Sequence, residues 1–272
     1  MLANGFENGL WKISDEEYFS DLSHISRSMF ADFLVSPVRY RDLYVDPTKT
    51  QDKTSRSMNR GTAVHLALLN AHQWDEIVAI EPSIDQRTAK GRNAWIKYRD
   101  ALRAGKMPLS KRDVGAVEEQ VKAIKSHKQA FDFLTFEGGI NEQTIRWIDP
   151  SSGLPLKGKL DRMVGNVIVD VKTTSKALNA RQWARECRRH GYHIQAAWYV
   201  EGAKMALGRE GMTFAHIVVT AEYTVFCGYF GQEYLSRLWE ETVRPDLCRL
   251  AETYANDSWT LESDGIVEIP ME

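Results

Sequence analysis

The stretch LKGKLDRMVGNVIVDVKTT, residues 156–174, decides the fold class. Its two halves have the alternating or β-branched character of strands, and the dipeptide GN between them is typical of a hairpin turn. Asp170 and Lys172 interrupt the run VIVDVK on one face, because alternate side chains of a strand point the same way. Asp161 lies on the preceding strand and can approach Asp170 across the hairpin. The sequence therefore predicts a hairpin that brings two carboxylates and an amine together.

Periodicities on either side of the hairpin predict one mixed sheet flanked by helices. The strand NEQTIRWID precedes the hairpin and makes it a three-stranded meander. The other predicted elements are a helix that begins after Ser26 and is halted by Pro37, helices at about 61–74, 87–104, 110–134, 178–190, 191–207 and 231–256, and strands 213–220 and 223–230. Residues 1–25 are predicted to form an irregular arm and residues 46–60 an exposed loop. We predict a single α/β domain over residues 1–272, mainly helical in 1–135 and with the catalytic sheet in 136–272.

The composition excludes several classes of protein. The chain has 272 residues, of which 43% are hydrophobic and 26% charged, as in a globular protein with a substantial core. It contains no run of 18 apolar residues, so no membrane span is predicted. The N-terminal residues lack the features of a signal peptide, and a cytoplasmic location is expected by default. Three widely spaced cysteines without a CxxC pair argue against a disulfide framework or a structural zinc site.

The charge balance limits how the chain could bind nucleic acid. The formal net charge is −2, so any such binding must come from local basic patches rather than from a global field. The sequence also has no GxxxxGK[ST] motif, which argues against a built-in nucleotide-driven motor.

The paired acids predict a metal site. Two carboxylates held together repel unless a cation or a proton lies between them. Mg²⁺ prefers oxygen ligands, commonly one or two carboxylates together with water and a substrate phosphate. The Lys172 ammonium beside them can orient a water molecule and offset charge that develops on the phosphate. The hairpin thus predicts metal-dependent phosphodiester hydrolysis, and the alternative is that Asp170 and Lys172 form an ordinary surface ion pair.

The chain resembles the PD-(D/E)XK nucleases. Asp161, Asp170, Val171 and Lys172 match the signature of that family, with LD in place of PD at its first position. The wider pattern resembles the RecE-type exonucleases (exonuclease VIII) and their phage relatives, through the pieces ISRSMFADFLVSPVRYR, GTAVHLALL, NEQTIRW, KGKLDRM, IVDVKTT and YHIQAAWY. The resemblance implies a restriction-endonuclease-like core. It also implies a metal-dependent, ATP-independent exonuclease that digests linear double-stranded DNA 5′→3′ and leaves 3′ single strands.

The resemblance further implies roles for residues outside the signature. His65 would be an additional metal-site residue, and Glu142 would lie near the metal through water. Gln195 and Tyr199, four residues apart on one helix face, match a Q-x-x-x-Y element behind the site. The alternatives are a core histidine, an exposed acid at a strand end and ordinary half-buried helix residues. Mg²⁺ is the expected ion, and a histidine would suit Mn²⁺ as well.

Basic residues provide candidate DNA contacts. The segment ARQWARECRRH places Arg181, Arg185 and Arg188 on one helical stripe, and arginine binds phosphate in a bidentate manner. A solvated helix face explains such a stripe equally well. A second, weaker candidate is the segment QRTAKGRNAW, which contributes Arg87, Lys90 and Arg92.

Two other functions stay open at this stage. One is a structure-specific or sequence-specific endonuclease of the same fold, and the other is a DNA-end-binding recombination module that does not cut. The intact Asp/Asp/Lys set argues against the second, because a module that only binds has no need of Lys172 beside paired acids. The expected partners are double-stranded DNA ends and, by resemblance, a single-strand annealing protein and further copies of this chain in a ring. No membrane is expected to be a partner.

Overall fold

The computed structural model describes residues 7–48, 55–176 and 179–260. Its helices are α1 (Asp15–Ser20), α2 (Arg27–Val35), α3 (Pro37–Tyr40), α4 (Arg56–Leu69), α5 (Trp74–Ile77), α6 (Ala89–Arg103), α7 (Lys111–Ser126), α8 (Lys128–Thr135), α9 (Ala180–His190), α10 (Tyr192–Leu207), α11 (Gln232–Leu238) and α12 (Arg244–Asn256). Its strands are β1 (Gly9–Trp11), β2 (Ile25–Ser26), β3 (Val78–Ile80), β4 (Met107–Leu109), β5 (Ile140–Ile148), β6 (Pro155–Val164), β7 (Val167–Thr174), β8 (Thr213–Thr220) and β9 (Val225–Phe230). Short π-helical turns occupy Arg41–Val45 and Trp239–Val243, and a 3₁₀ turn occupies Ala71–Gln73.

A seven-stranded mixed sheet forms the centre of the protein. Its strand order is β1-β5-β6-β7-β8-β9, and β2 adds to β6 in parallel. β7 and β8 are parallel, whereas the other neighbours along the main path are antiparallel. β3 and β4 form a separate two-stranded sheet. The mixed sheet flanked by helices and its β5–β6–β7 meander are therefore confirmed.

Strands β6 and β7 separate shortly after the turn that joins them. Their ladder ends at the pair Arg162–Val169. Beyond that pair β7 continues against β8, while β6 continues against β5 and accepts β2. Asp161 and Asp170 are the first residues past the last rung. The two predicted acids thus lie where the sheet opens into a fork.

Helices cover both faces of the sheet and form two large apolar clusters and a small third one around Trp183. One cluster joins α2, α10 and α12 to the sheet and includes Phe30, Trp147, Trp198, Trp239 and Leu247. The other joins α4 and α7 to β7 and β8 and includes Val64, Val117, Ile124, Val169, Val171 and Ile217. Because both faces are covered, Asp170 is buried within the fold and does not lie on an open surface. None of the described helices is both long enough and apolar enough to cross a membrane.

The prediction of an irregular arm over residues 1–25 is wrong for the part that the structure describes. Ser14 caps α1 by accepting the Glu17 N–H at 3.1 Å, and β1 and β2 both join the sheet. The buried ammonium of Lys157 donates to the carbonyl oxygen of Tyr18 at 2.5 Å and also to that of Asp21. Elements of two to six residues are too short to show a periodicity, and contacts with the sheet stabilise them instead.

Two other predicted boundaries also differ. The predicted loop 46–60 is too long, because Ser55 caps α4 by accepting the Met58 N–H and the helix starts at residue 56. Residues 49–54 of that predicted loop lie outside the described residues. The predicted helix 110–134 is two helices, because His127 ends α7 and its ring Nδ1 accepts the Ala130 N–H at the start of α8.

Candidate active site

The side chain of Asp161 joins strands β6 and β7 at the point where they separate. Its Oδ2 accepts a 2.8 Å hydrogen bond from the backbone N–H of Val171, where the β6–β7 backbone ladder has ended. The Nδ1 atom of His65, on α4, lies 3.2 Å from the same Oδ2. Gly61 lets α4 pack close to β7, since a Cβ there would lie 3.3 Å from Oγ1 of Thr173. The close helix therefore places His65 beside Asp161.

Asp170 is held from two sides. Its Oδ2 lies 2.6 Å from the Nζ of Lys172, and its Oδ1 accepts a 3.2 Å hydrogen bond from the Nε2 of Gln195 on α10. The Lys172 ammonium also lies 4.8 Å from the centre of the Tyr192 ring, a cation–π contact. The structure thus brings Asp161, Asp170, Lys172 and Gln195 together, as the sequence predicts.

The two carboxylates titrate differently because their partners differ. Burial raises the pKa of Asp170 to about 6, and the nearby Asp161 charge adds to the rise against the opposing charge of Lys172. Burial also opposes ionisation of Asp161, but His65, Lys172 and the Val171 N–H outweigh it and lower its pKa. The surroundings therefore favour the charged form of Asp161 and the neutral form of Asp170.

The two basic side chains of the site keep their protons more firmly than usual. Burial would lower the pKa of Lys172, but the charges of Asp170 and Asp161 outweigh it and raise that pKa. The pKa of His65 is raised in the same way, because the Asp161 charge outweighs burial. Lys172 is thus a fixed cation at neutral pH and cannot act there as a general base.

The donor set fits a hard divalent cation that keeps part of its own hydration. Asp161 and Asp170 offer carboxylate oxygens, and His65 would offer the ring nitrogen that does not face Asp161 only after losing a proton. Within the described residues, no group of three or more His, Cys, Asp or Glu side chains is placed to hold a metal ion, so these residues would supply only part of its ligands. Mg²⁺ does not need a complete set of protein ligands, since water and substrate phosphate commonly supply its remaining ligands. A bound cation would oppose the burial and the Asp161 repulsion that raise the pKa of Asp170, and it would supply Lewis-acid charge and activate water.

Glu142 lies on β5 opposite Asp161 of β6. The β5–β6 ladder has no backbone pair at this position. Its φ of 54° is in the left-handed region, where a residue other than glycine is strained. Its Oε2 lies 3.2 Å from the Nζ of Lys159, which also pairs with Asp15. Burial raises the pKa of Glu142, and Lys159 opposes that rise. The structure thus pairs Glu142 with Lys159, and a water-mediated role at the metal stays a prediction.

Tyr199 lies behind the site, against β6. Gly158 makes room for its ring, because a Cβ at that position would lie 2.9 Å from two ring carbons. Burial raises the pKa of Tyr199 well above its ordinary value. The phenol is therefore neutral and can support the Gln195 side of the site, but it cannot act as a base at neutral pH.

A cavity of about 480 Å³ opens onto Lys172. We name it the catalytic cavity, and its lining includes His65, Lys172, Tyr192, Arg60 and Arg189. A second cavity, of about 320 Å³, lies on the other side of His65 and includes Glu142 and Lys159 in its lining. His65 thus lines both spaces, one of which also contains Lys172 and the other Glu142 and Lys159.

His216 is a site residue that the sequence analysis missed. It pairs with Asp170 in the parallel register of β7 and β8, is 1% exposed, and places Nε2 3.7 Å from Oδ2 of Asp170. Burial first, and then the Lys172 charge, lower its pKa to about 3, so its ring is neutral. Its Nδ1 accepts a 3.4 Å hydrogen bond from Nε1 of Trp183, which leaves the proton on Nε2, facing Asp170. The only signal in the sequence was one histidine in the apolar strand TFAHIVVT.

The predicted DNA-binding residues lie outside the catalytic cavity. Arg181, Arg185 and Arg188 are exposed on α9, on the face about half a turn away from the buried Trp183. Neighbouring Arg189, on the same helix, does line the cavity. The stripe is therefore exposed but turned away from the acids, and its contact with DNA stays a prediction.

The second predicted basic segment belongs to a different part of the fold. Arg87 pairs with Asp85 at 2.7 Å, and Arg92 donates to the carbonyl oxygen of Arg87 at 2.8 Å. Lys90 is exposed on α6, which packs on the small sheet of β3 and β4. These side chains do not line the catalytic cavity. Their role in DNA binding also stays a prediction.

Comparison with known proteins identifies the family of this fold. Residues 26–252 match the family described as "PDDEXK-like domain of unknown function (DUF3799)". The chain belongs to this family. The matched range of the PDDEXK-like domain includes His65, Asp161, Asp170 and Lys172 as well as His216.

Solved structures support the same fold. A crystal structure from Eubacterium rectale named "Putative exonuclease" has 17% sequence identity and a TM-score of 0.60, over 96% of this chain and 97% of that chain. With the mixed sheet and the family match, this likeness confirms the predicted restriction-endonuclease-like fold. A second structure, named SSO0001, has 8% identity and a TM-score of 0.32 over 91% and 89% of the two chains, which is too weak a likeness to indicate a shared fold. No curated protein sequence matches the chain.

Proposed function

We propose that this PDDEXK-like protein is a metal-dependent nuclease that hydrolyses phosphodiester bonds of linear double-stranded DNA. The observation that carries the proposal is the fork of β6 and β7, where Asp161, Asp170 and Lys172 meet beside an open cavity. A surface ion pair would be solvated, whereas Asp170 is 2% exposed and its pKa is raised to about 6. Burying Asp170 beside the half-buried Asp161 and Lys172 is costly, and such costs are characteristic of functional sites.

Each side chain has a distinct role in this proposal. Asp161 and Asp170 hold the cation, Mg²⁺ or alternatively Mn²⁺, with His65 orienting Asp161 and Gln195 orienting Asp170. Lys172 remains protonated beside the cavity, where it can orient the attacking water and offset negative charge on the phosphate in the transition state. Tyr199 supports Gln195 from behind. Glu142 would act through water from the far side of His65.

The finer activity follows from resemblance and is part of the proposal. The pattern of RecE-type exonucleases favours ATP-independent digestion from DNA ends, 5′→3′, with 3′ single strands passed to an annealing protein in recombination. The solved neighbour named "Putative exonuclease" is consistent with attack at ends. A ring of several copies around DNA, and an origin in a phage or mobile element, belong to the same resemblance.

Linear and circular duplex DNA, incubated with the protein and Mg²⁺, test the proposal. Loss of linear DNA alone supports an exonuclease, whereas nicking of circles indicates the alternative endonuclease. A gel shift without cleavage of either substrate indicates the non-cleaving end-binding module and contradicts the proposal. The variant Asp170→Asn, which keeps the size of the side chain and removes its charge, is the matched control for a contaminating nuclease.

A further inference from the structure

We infer that the nucleic-acid substrate extends from the catalytic cavity across Arg60 into a second groove on α7, where Arg112 binds its phosphate backbone and Tyr223 stacks on a base. We name this space the α7 groove, a cavity of about 490 Å³ lined by Arg60, Arg112, Gly115, Gln120 and Tyr223, among others. The inference rests on the proposed function, because it assigns the path of that substrate. It places the DNA contacts on residues other than the arginine stripe of α9.

The α7 groove adjoins the catalytic cavity at one side chain. Arg60, on the second turn of α4, lines both spaces. His65 follows it by five residues on the same helix and contacts Asp161. A strand whose phosphate lies at the paired acids would therefore meet Arg60 next on this side of the site.

An ion pair joins the helices that carry the two arginines. The guanidinium of Arg56, one turn before Arg60, lies 2.8 Å from Oδ2 of Asp113 and also donates to Oγ of Ser110 at 3.0 Å. Asp113 is buried at the start of α7, directly after Arg112. The packing of α4 on α7, together with the Arg56–Asp113 pair, therefore keeps Arg60 and Arg112 at one groove.

Arg60 and Arg112 are available for a ligand. In the described part of the chain neither forms an ion pair, whereas Arg56 and Lys176 nearby are both paired with carboxylates. Glu119 also lines the groove, but Lys122 lies 3.7 Å from its carboxylate. Two uncommitted guanidinium groups in line with a phosphodiester site suit successive backbone phosphates.

The floor of the groove is open at Gly115, and Gln120 lies buried beneath it. A Cβ at Gly115 would have no atom within 4 Å, so the helix surface is free at that point. Gln120 is 1% exposed, and its Nε2 donates to the Thr220 carbonyl oxygen at 3.4 Å. Its Oε1 has no hydrogen-bond partner among the described residues.

Tyr223 forms the outer wall of the groove on the turn between β8 and β9. It has a φ of 63° and a side chain that is 43% exposed. An aromatic residue in the left-handed region is unfavourable, and an exposed ring gains little from burial. The Tyr223 ring is placed to stack on an unpaired base, because every base offers a flat face to an aromatic side chain.

Binding titrations at several salt concentrations, in EDTA so that no cleavage occurs, test this path. The probe is a fluorescent linear duplex with a single-stranded tail. Arg60→Ala and Arg112→Ala should each weaken binding and reduce the slope of log affinity against log salt by about one. Tyr223→Ala should weaken binding roughly five- to 150-fold with an unchanged slope. Arg237→Ala, at an exposed arginine of α11 outside both spaces, is the matched control and should change neither value.

The arginine stripe of α9 is the alternative path for the substrate. If Arg112→Ala and Tyr223→Ala bind DNA with wild-type affinity and slope, the inference is wrong. A reduced slope for the alanine variants of the α9 stripe, Arg181, Arg185 and Arg188, would then place the path on α9. A variant that binds DNA more weakly but melts at the wild-type temperature has lost a direct contact with DNA, because its fold is unchanged.

Cleavage assays separate this inference from the proposed function. If the wild type cleaves linear DNA and the groove variants bind DNA with unchanged affinity, the proposed path is wrong but the proposed nuclease activity is supported. If DNA binding depends on Arg112 but no metal-dependent cleavage occurs, the proposed path is supported and the proposed nuclease activity is wrong. A wild-type protein that neither binds nor cuts the probe would overturn both.

Discussion

The Oδ2 atom of Asp161 accepts a 2.8 Å hydrogen bond from the backbone N–H of Val171, the residue between Asp170 and Lys172. The bond ties the carboxylate of one strand to the backbone of the next at the point where their ladder ends. Asp161 therefore both stabilises the fork and supplies its anion. These two roles can be separated by mutation.

Asp161→Asn should preserve the fold and lose the activity. The amide oxygen of asparagine can still accept the Val171 N–H, so we expect a melting temperature close to wild type. The missing charge should lower the cleavage rate by about a hundredfold or more. Asp161→Ala also removes the acceptor and should lower the free energy of unfolding by about 1–3 kcal/mol. A rate near wild type for Asp161→Asn, measured on linear DNA with Mg²⁺, contradicts the assignment.

The metal-free protein should become less stable, relative to Asp170→Asn, as the pH rises. The pKa of Asp170 in the folded state is raised from 3.8 to about 6, so its protonated form stabilises the fold below about pH 4. That contribution is lost as the pH rises from about 4 through 6, and it amounts to roughly 2–3 kcal/mol. Thermal unfolding of both proteins in EDTA, from pH 4 to 7.5, measures the difference.

Mg²⁺ should reverse part of this loss for the wild type alone at pH 7, because it binds the folded state. A stability difference that does not change with pH would show that Asp170 is not desolvated, and the electrostatic account of the site would fail.

Lys172→Met should keep metal binding and lose catalysis. The ammonium acts on water and phosphate, and removing such an electrostatic stabiliser costs about a hundredfold or more in rate. Calorimetric titration with Mg²⁺ measures the affinity, and single-turnover cleavage measures the rate. If affinity and rate are lost together, Lys172 has a structural role and its assignment to the chemistry is wrong.

His216→Leu should lower the rate or the metal affinity by about 10–100-fold, the usual effect of losing a group that positions a metal ligand. The variant removes the N–H that faces Asp170 but fills the buried site, so we expect the melting temperature to stay level or rise. His216→Gln restores an amide N–H and should recover part of the loss. Equal activity for the two variants would indicate a packing role only.

Local patterns in the sequence predict much of the fold. The alternation of β5 and β6, the GN turn and the β-branched run of β7 specify the meander, and α9 and α10 follow from helical spacing and from Gly191, which adopts a φ of 65° between them. The same register places Asp161 beside Asp170. β1, α1 and β2 are too short to carry a pattern, and only the finished sheet stabilises them.

The remaining parts of the site depend on contacts distant in sequence. His216 reaches Asp170 only because β8 pairs with β7 in parallel, and Trp183 then fixes its tautomer. Arg60 and Arg112 share a groove because α4 packs against α7, and the Arg56–Asp113 pair also joins the two helices. A sequence pattern shows the spacing along one element, but it does not show which elements become neighbours. The roles of the individual site residues stay predictions until variants are measured.

The most direct test of the central claim is the initial rate of nucleotide release from linear duplex DNA as Mg²⁺ is titrated, for the wild type and Asp170→Asn side by side. We expect no release in EDTA and a rate for the wild type that rises with Mg²⁺ and saturates. Asp170→Asn should remain at least about a hundredfold slower at every Mg²⁺ concentration. Release from wild type in EDTA, or equal rates for the two proteins at saturating Mg²⁺, would contradict the claim that Asp161, Asp170 and Lys172 form a metal-dependent nuclease site.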